Sequence, residues 1–223
     1  MVRRLFIRLS LTLAVLGLMT ACATLDAPRL SDPSPDEPAG WLVMSVSLNY
    51  ESGDFPVPFQ SNMVGYRSRD TGASAFHRLF TGYFSERRLA EMDLVDGGLH
   101  AQVFARRLAP GDYEVYYGYM GTDAGTAQQF VQSNRDFSIP FSVQAGEITY
   151  LGNFDARVFE GRNRLGMKIR SGGVFVVGDS MDRDLELAKA RLDDSAFNRA
   201  PVSRQVPRLE GLVGGIFTSE TAR

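Results

Sequence analysis

Leu108-Ala109-Pro110-Gly111-Asp112-Tyr113-Glu114-Val115-Tyr116-Tyr117-Gly118-Tyr119 is the stretch on which the fold turns. Proline presets the φ of a turn's second residue and glycine accepts positive φ at the third, so Pro110-Gly111 predicts a tight type II turn. After it, Tyr113, Val115, Tyr117 and Tyr119 fall on one side of a period-two pattern. Val115 within that stripe assigns it to a core face. Tyr116, on the opposite side, is then the aromatic expected at the surface and the candidate contact residue.

The same period recurs outward from this turn. Leu42, Met44, Val46 and Leu48 alternate with Val43, Ser45, Ser47 and Asn49, the pattern of a half-buried strand. Residues 63–67, 75–80, 99–108, 165–169 and 174–177 read as further strands. Phe137, Ile139, Phe141 and Val143 form another, with Pro140 marking an edge or bulge. Ala145-Gly146 turns the chain into Ile148, Tyr150, Gly152 and Phe154. About seven or eight short strands punctuated by turns predict a mainly β chain folded as an antiparallel sandwich. Residues 85–92 suggest a short helix. Leu185, Ala188 and Leu192 stand at helical spacing with Lys189 and Arg191 towards the C-terminal end, so one helix over 179–192 is expected to pack on the sandwich. Beyond Pro201 the chain reads as irregular, with an apolar Gly-rich tail at 211–217 that adds an edge strand or stays loose.

The N-terminus has a different character. Arg3, Arg4 and Arg8 precede an uncharged apolar run, Leu9 to Met19, which ends in the small residues Thr20 and Ala21. That is the order of a signal peptide, and the run is about half of the roughly 20 residues a spanning helix needs. Leu18-Met19-Thr20-Ala21-Cys22 resembles the lipobox of bacterial lipoproteins, with Met19 where leucine is usual. The resemblance implies cleavage before Cys22 and lipid on that cysteine, and two or more acyl chains hold a protein stably on a membrane. Cys22 is the one cysteine of the chain, which excludes an intramolecular disulfide. Ala23 follows it, where an aspartate would signal inner-membrane retention, so the expected location is the outer membrane facing the periplasm. Four prolines and four acids between Ala23 and Gly40 suggest an extended tether. The expected organisation is a signal peptide at 1–21, a lipidated tether at 22–40, a sandwich at 41–178, and a helix with an irregular tail at 179–223.

Without residues 1–21 the chain keeps 202 residues and a formal charge of −5, enough for a core and the wrong sign for nucleic acid. Leu-Ala-Pro-Gly-Asp-Tyr at 108–113 and Phe-Ser-Val-Gln-Ala-Gly-Glu-Ile-Thr-Tyr-Leu-Gly at 141–152 resemble a group of proteobacterial lipoproteins of unknown function. Similar hairpins occur in Ig-like and carboxypeptidase-regulatory-like, or transthyretin-like, sandwiches. This resemblance implies a fold and carries over no functional residue.

Three motifs bear on chemistry. Val174-Phe175-Val176-Val177-Gly178-Asp179-Ser180 resembles the first block of the GDSL-type hydrolases, in which the serine is the nucleophile. That family places the block early in an α/β domain and an Asp-x-x-His near its end, whereas no histidine follows Ser180 here. Asp179 is instead expected to cap the helix, with Asp182 and Asp184 loading its first turn. These three acids lack the spacing of a calcium loop. His77 and His100, the only histidines, with Asp96 lack a zinc motif. No catalytic residue, metal ligand or cofactor is therefore assigned. The expected partners are the membrane, through Cys22, and an envelope protein or a glycan, the latter through exposed tyrosines.

Overall fold

The computed structural model describes residues 28–49, 59–80, 92–96, 98–123, 128–134 and 137–220. Cys22 and the preceding segment lie outside them, as does most of the helix expected at 85–92. The described strands are β1 (Gly40–Asn49), β2 (Ser61–Ser68), β3 (Ser74–Phe80), β4 (Leu94–Asp96), β5 (Leu99–Leu108), β6 (Gly111–Asp123), β7 (Gln128–Gln132), β8 (Ile139–Val143), β9 (Ile148–Arg162), β10 (Lys168–Gly178), β11 (Val202–Arg204) and β12 (Phe217–Ser219). Helices α1 (Met181–Leu192) and α2 (Ser195–Arg199) precede β11.

The strands form a β-sandwich. A seven-stranded sheet runs β12-β10-β9-β1-β5-β4, with β11 beside the start of β9, and a five-stranded sheet runs β3-β2-β6-β7, with β8 beside the start of β6. The larger sheet is mixed, because β1 and β9, β9 and β11, and β10 and β12 pair in parallel. A parallel pair needs a crossover, and the chain between β1 and β9 supplies it through the other sheet. Pro140 sits on β8, which among the described strands pairs with β6 alone, as a missing N–H requires. Residues 165–167 are not strand but the turn between β9 and β10, which resumes at Lys168. The glycine-rich tail turns into the edge strand β12, and its Ile216 and Phe217 are fully buried.

The Pro110 turn is not a type II hairpin. Gly111 has φ 156°, close to extended, and the two residues before it carry the chain from β5 in one sheet to β6 in the other. The Tyr113 hydroxyl donates to the Ala109 carbonyl at 2.7 Å and braces this corner. At 144–147 glycine does what its φ freedom allows. Gly146 lies at φ 76°, and the Glu147 N–H closes the turn onto Gln144.

Residues 28–32, read from sequence as tether, lie against the sandwich. Ser74 N–H donates to the Pro28 carbonyl at 2.8 Å, Leu30 N–H returns to Ser74 at 2.9 Å, and Arg106 holds both the Leu30 carbonyl and Asp32. Prolines removed donors there without removing the carbonyls, and those carbonyls found partners.

The inter-sheet core takes Leu42, Met44, Val46 and Leu48 from β1 as the alternation predicts, together with Tyr66, Val115, Phe154, Phe175 and Phe217. Gly118 of β6 is required by this packing, since a Cβ there would come within 2.6 Å of the Phe217 ring. The other face of β1 is not solvated. Val43, Ser45 and Ser47 are as buried as their neighbours: α1 and α2 lay Leu185, Ala188 and Phe197 against Val43, Asp184 reaches Ser45, and Ser47 donates to Asp155.

Under α1 lies a buried polar cluster. Asp184, wholly buried, accepts from the Ser45 hydroxyl at 2.6 Å, the Tyr150 hydroxyl at 2.8 Å and the Arg183 guanidinium at 2.6 and 2.9 Å. Four N–H and O–H groups thus satisfy a wholly buried carboxylate. Burial and the adjacent carboxylate raise the pKa of Tyr150 far above its usual value, so it remains a donor.

Removing the Asp184 carboxylate leaves Tyr150 without its acceptor and Arg183 without its ion-pair partner, while Ser45 keeps Asn153 at 2.9 Å. Asp184→Ala is expected to cost about 3–5 kcal/mol, seen as a fall of roughly 10 °C in Tm in thermal unfolding. Ser45→Ala, which removes one neutral donor, is expected to cost about 1 kcal/mol. A second prediction concerns His77. Its ring stacks on Phe104 at 4.2 Å, its Nε2 is buried with no hydrogen-bond partner, and desolvation, helped by the nearby Arg106 charge, lowers its pKa to about 3. The unfolded chain takes up this proton near its ordinary value, so the stability that neutral His77 supplies is full above about pH 6.5 and is lost as pH falls towards 3. His77→Phe is expected to flatten the fall of Tm between pH 6 and 4 by about one proton, or about 1.4 kcal/mol per pH unit.

Candidate aromatic binding face

β6 is where the sequence reading and the structure part. Its pairing with β2 slips between Gly65 and Tyr66, so Tyr66 faces Val115, Gly65 faces Tyr117, and Tyr116 is the extra residue of a β-bulge. One inserted residue moves every later side chain to the other face. Tyr113 and Val115 therefore stay in the core, whereas Tyr117 and Tyr119, expected beside them, turn to the outer face of the five-stranded sheet. Tyr116 joins them there, half-buried, with the Arg67 guanidinium 4.7 Å above its ring. No alternation rule reveals a bulge; the doubled tyrosine is the only hint.

Neighbouring strands extend this face. Phe76 of β3 is 48% exposed and meets Tyr117 edge-on at 5.7 Å and Tyr116 at 6.1 Å. Phe130 of β7 is 53% exposed and stacks on Tyr119 at 6.1 Å. Two glycines make room beneath. A Cβ on Gly65 would lie 2.7 Å from the Phe76 ring, and one on Gly121 would lie 2.1 Å from the Tyr119 hydroxyl oxygen. The rings thus lie down over bare backbone and present their flanks to solvent.

Charge borders the aromatics on one side. Arg67 pairs with Glu114 at 2.6 Å, and Ser138 donates to the other oxygen of that carboxylate at 2.5 Å. Desolvation works against the ionised Glu114, but the bonds from Ser138 and Arg67 outweigh it and lower its pKa. Burial raises the pKa of Tyr117, so its hydroxyl stays protonated at neutral pH and can both donate and accept. Apolar flanks, phenolic hydroxyls and a fixed guanidinium suit a ligand that mixes flat C–H faces with polar edges.

The residues of the hydrolase and metal readings are dispersed. Ser180 is the N-cap residue of α1 on the outer face of the larger sheet, and its N–H donates to Tyr150. His77 points between the sheets, and His100 is near the opposite end of that sheet, paired across from Leu48. Asp179 stands one residue before the N-cap, which is Ser180 and not Asp179 as expected; it accepts from Met181 N–H and pairs with Arg204 across a cleft of about 510 Å³ lined by Val206, Arg208 and Glu220. Asp182 is exposed, but Asp184 is the buried hub described above, so the three acids share no site. Among the described residues no group of three or more potential ligands could hold a metal ion, and no helix is long and apolar enough to cross a membrane.

No family model and no curated protein matches the chain. Among solved structures it is similar to a leucine-rich repeat protein from Bacteroides thetaiotaomicron, at 16% identity over 56% of this chain and 14% of that one, with a TM-score of 0.30. It is also similar to a protein named for cell adhesion from Parabacteroides distasonis, at 10% identity over 61% of this chain and 41% of that one, with a TM-score of 0.31. The chain spans less than half the length of either, and no property of either is carried over to it.

Proposed function

We propose that this chain is a lipid-anchored, periplasm-facing binding protein of the bacterial outer membrane, which holds another envelope component on the aromatic face of its five-stranded sheet and performs no catalysis. The observation that carries the reading is the partly exposed row of Phe76, Tyr116, Tyr117, Tyr119 and Phe130 over Gly65 and Gly121. Exposed aromatics grouped in this way mark interaction surfaces. A glycan is the favoured ligand class, because the exposed flanks of these rings offer apolar surface to the C–H side of a sugar while hydroxyls and Arg67 reach its edges. The anchor rests on the signal-like N-terminus and on Cys22 at the end of a lipobox-like string.

The two halves are tested separately. Metabolic labelling with a fatty acid is expected to mark the native chain and not Cys22→Ser; equal labelling of both ends the anchoring proposal. For the face, co-sedimentation with purified cell-wall sacculi is expected to weaken about tenfold for Tyr117→Ala or Tyr119→Ala, the loss of one good stacking contact. Gly121→Ala removes no aromatic but tilts Tyr119 off its seat, and is expected to weaken binding as well. Unchanged binding in all three variants removes the face from the interaction.

A further inference from the structure

The β9–β10 hairpin is an arm that outruns the sandwich. Arg170 braces its base, donating to Thr122 at 2.5 Å, while the Arg170 carbonyl accepts from Gln129 of the facing sheet at 2.7 Å. Beyond that brace the strands continue to a turn at 163–167 in which four of the five backbone N–H groups are paired. Asn163 N–H bonds to Met167 O and Gly166 N–H to Asn163 O, the Asn163 side chain accepts from both Leu165 and Met167 N–H, and Arg162 donates to Gly166 O.

A turn so well satisfied has no structural need for apolar side chains, yet Leu165 is 81% exposed and Met167 55% exposed, with Phe159 and Ile169 also exposed behind them. Around these the segment 159–170 carries Arg162, Arg164, Lys168 and Arg170 against Glu160 alone, a net charge of +3 within a chain of −2, with Lys168 paired to Glu160 at 2.8 Å. Apolar tip, cationic flanks and a backbone with four of its five turn N–H groups already paired suit entry into an anionic lipid interface. Acyl chains accept apolar groups, phosphates attract cations, and unpaired N–H groups are costly there. A protein partner would need no such internal pairing of the turn.

We propose that the β9–β10 arm docks on an anionic phospholipid surface, with Leu165 and Met167 entering the interface and Arg162, Arg164 and Lys168 engaging the phosphates. This contact is independent of lipid on Cys22. Pro28 sits at the start of β3, at the end of the sandwich where β6 and β9 begin, and the arm lies at the other end of β9. The 15 residues of β9 span about 46 Å, and the six residues from Cys22 to Pro28 reach about 20 Å at most. One leaflet can therefore hold both contacts only with the long axis lying within roughly 25° of the membrane plane; a steeper axis places the arm on a second surface.

The test uses the chain from residue 22 carrying Cys22→Ser, which keeps every described strand and helix and no lipid. Its co-sedimentation with vesicles of phosphatidylglycerol and phosphatidylcholine is expected to exceed that with phosphatidylcholine alone by at least tenfold, and to fall as salt is raised. A chain with R164E, and a second with L165D and M167D, are each expected to lose at least tenfold in binding at unchanged Tm, since these side chains are exposed. Leu165→Trp is expected to show a blue-shifted emission on anionic vesicles. Absence of vesicle binding, binding indifferent to lipid charge, or unshifted Leu165→Trp emission overturns the proposal and leaves the arm to a protein partner. None of these outcomes depends on fatty-acid labelling of Cys22, so the two attachments stand or fall separately.

Discussion

β1 has no face left for water, and the rest of the molecule is arranged around that constraint. One side closes the inter-sheet core with Leu42, Met44, Val46 and Leu48; the other presents Val43 and two serines to the helices. A serine at the centre of a sheet is tolerable under a helix only when its hydroxyl is paired, and Asp184 reaches down from α1 to pair it. The same carboxylate takes Tyr150 from β9, so a single buried charge joins β1, β9 and α1. Helix α1 is thus positioned by polar geometry as well as by the small apolar patch of Leu185 and Ala188. Hydrophobic contact alone would leave its rotation loosely specified; hydrogen bonds are directional.

Period two was enough to read the strands, since side chains alternate whatever lies on either face. It was not enough to read burial. Ser45 and Ser47 look like the wet side of an edge because small polar residues normally are, and only the later placement of α1 over them reverses this. Asp184 misleads in the same way: an acid in a first turn has a sufficient local explanation in the helix dipole, and nothing nearby announces a tyrosine 34 residues earlier in the chain. Local rules fail at both positions because the partner is distant in sequence.

The aromatic face was hidden by a different mechanism. Tyr113, Val115, Tyr117 and Tyr119 make a regular stripe on paper, and one bulge residue at Tyr116 cuts it into a buried half and an outer half. Gly65, Gly118 and Gly121 are the physical correlates of that cut. Gly118 lets Phe217 close against β6 from inside, while Gly65 and Gly121 let Phe76 and Tyr119 lie down outside. The expected exposure of Tyr116 came from parity, which the bulge invalidates; its outer position comes from the bulge itself.

The arm and the face differ in how their apolar groups are held, and that difference argues for different ligands. On the face, rings rest on backbone and on one another, with Phe76 edge-on to Tyr117 and Phe130 stacked on Tyr119, so the surface is preformed. Rigid amphipathic rings favour a ligand with a defined shape, because little conformational entropy remains to be lost on contact. At the arm, Leu165 and Met167 rest on no aromatic neighbour among the described contacts, and cations rather than rings surround them. Flexible aliphatic groups on a stiff turn suit a ligand without fixed shape, which is what a lipid interface offers. One sandwich therefore carries two surfaces with distinct requirements, and the length of β9 keeps the arm clear of the end where the chain enters the fold.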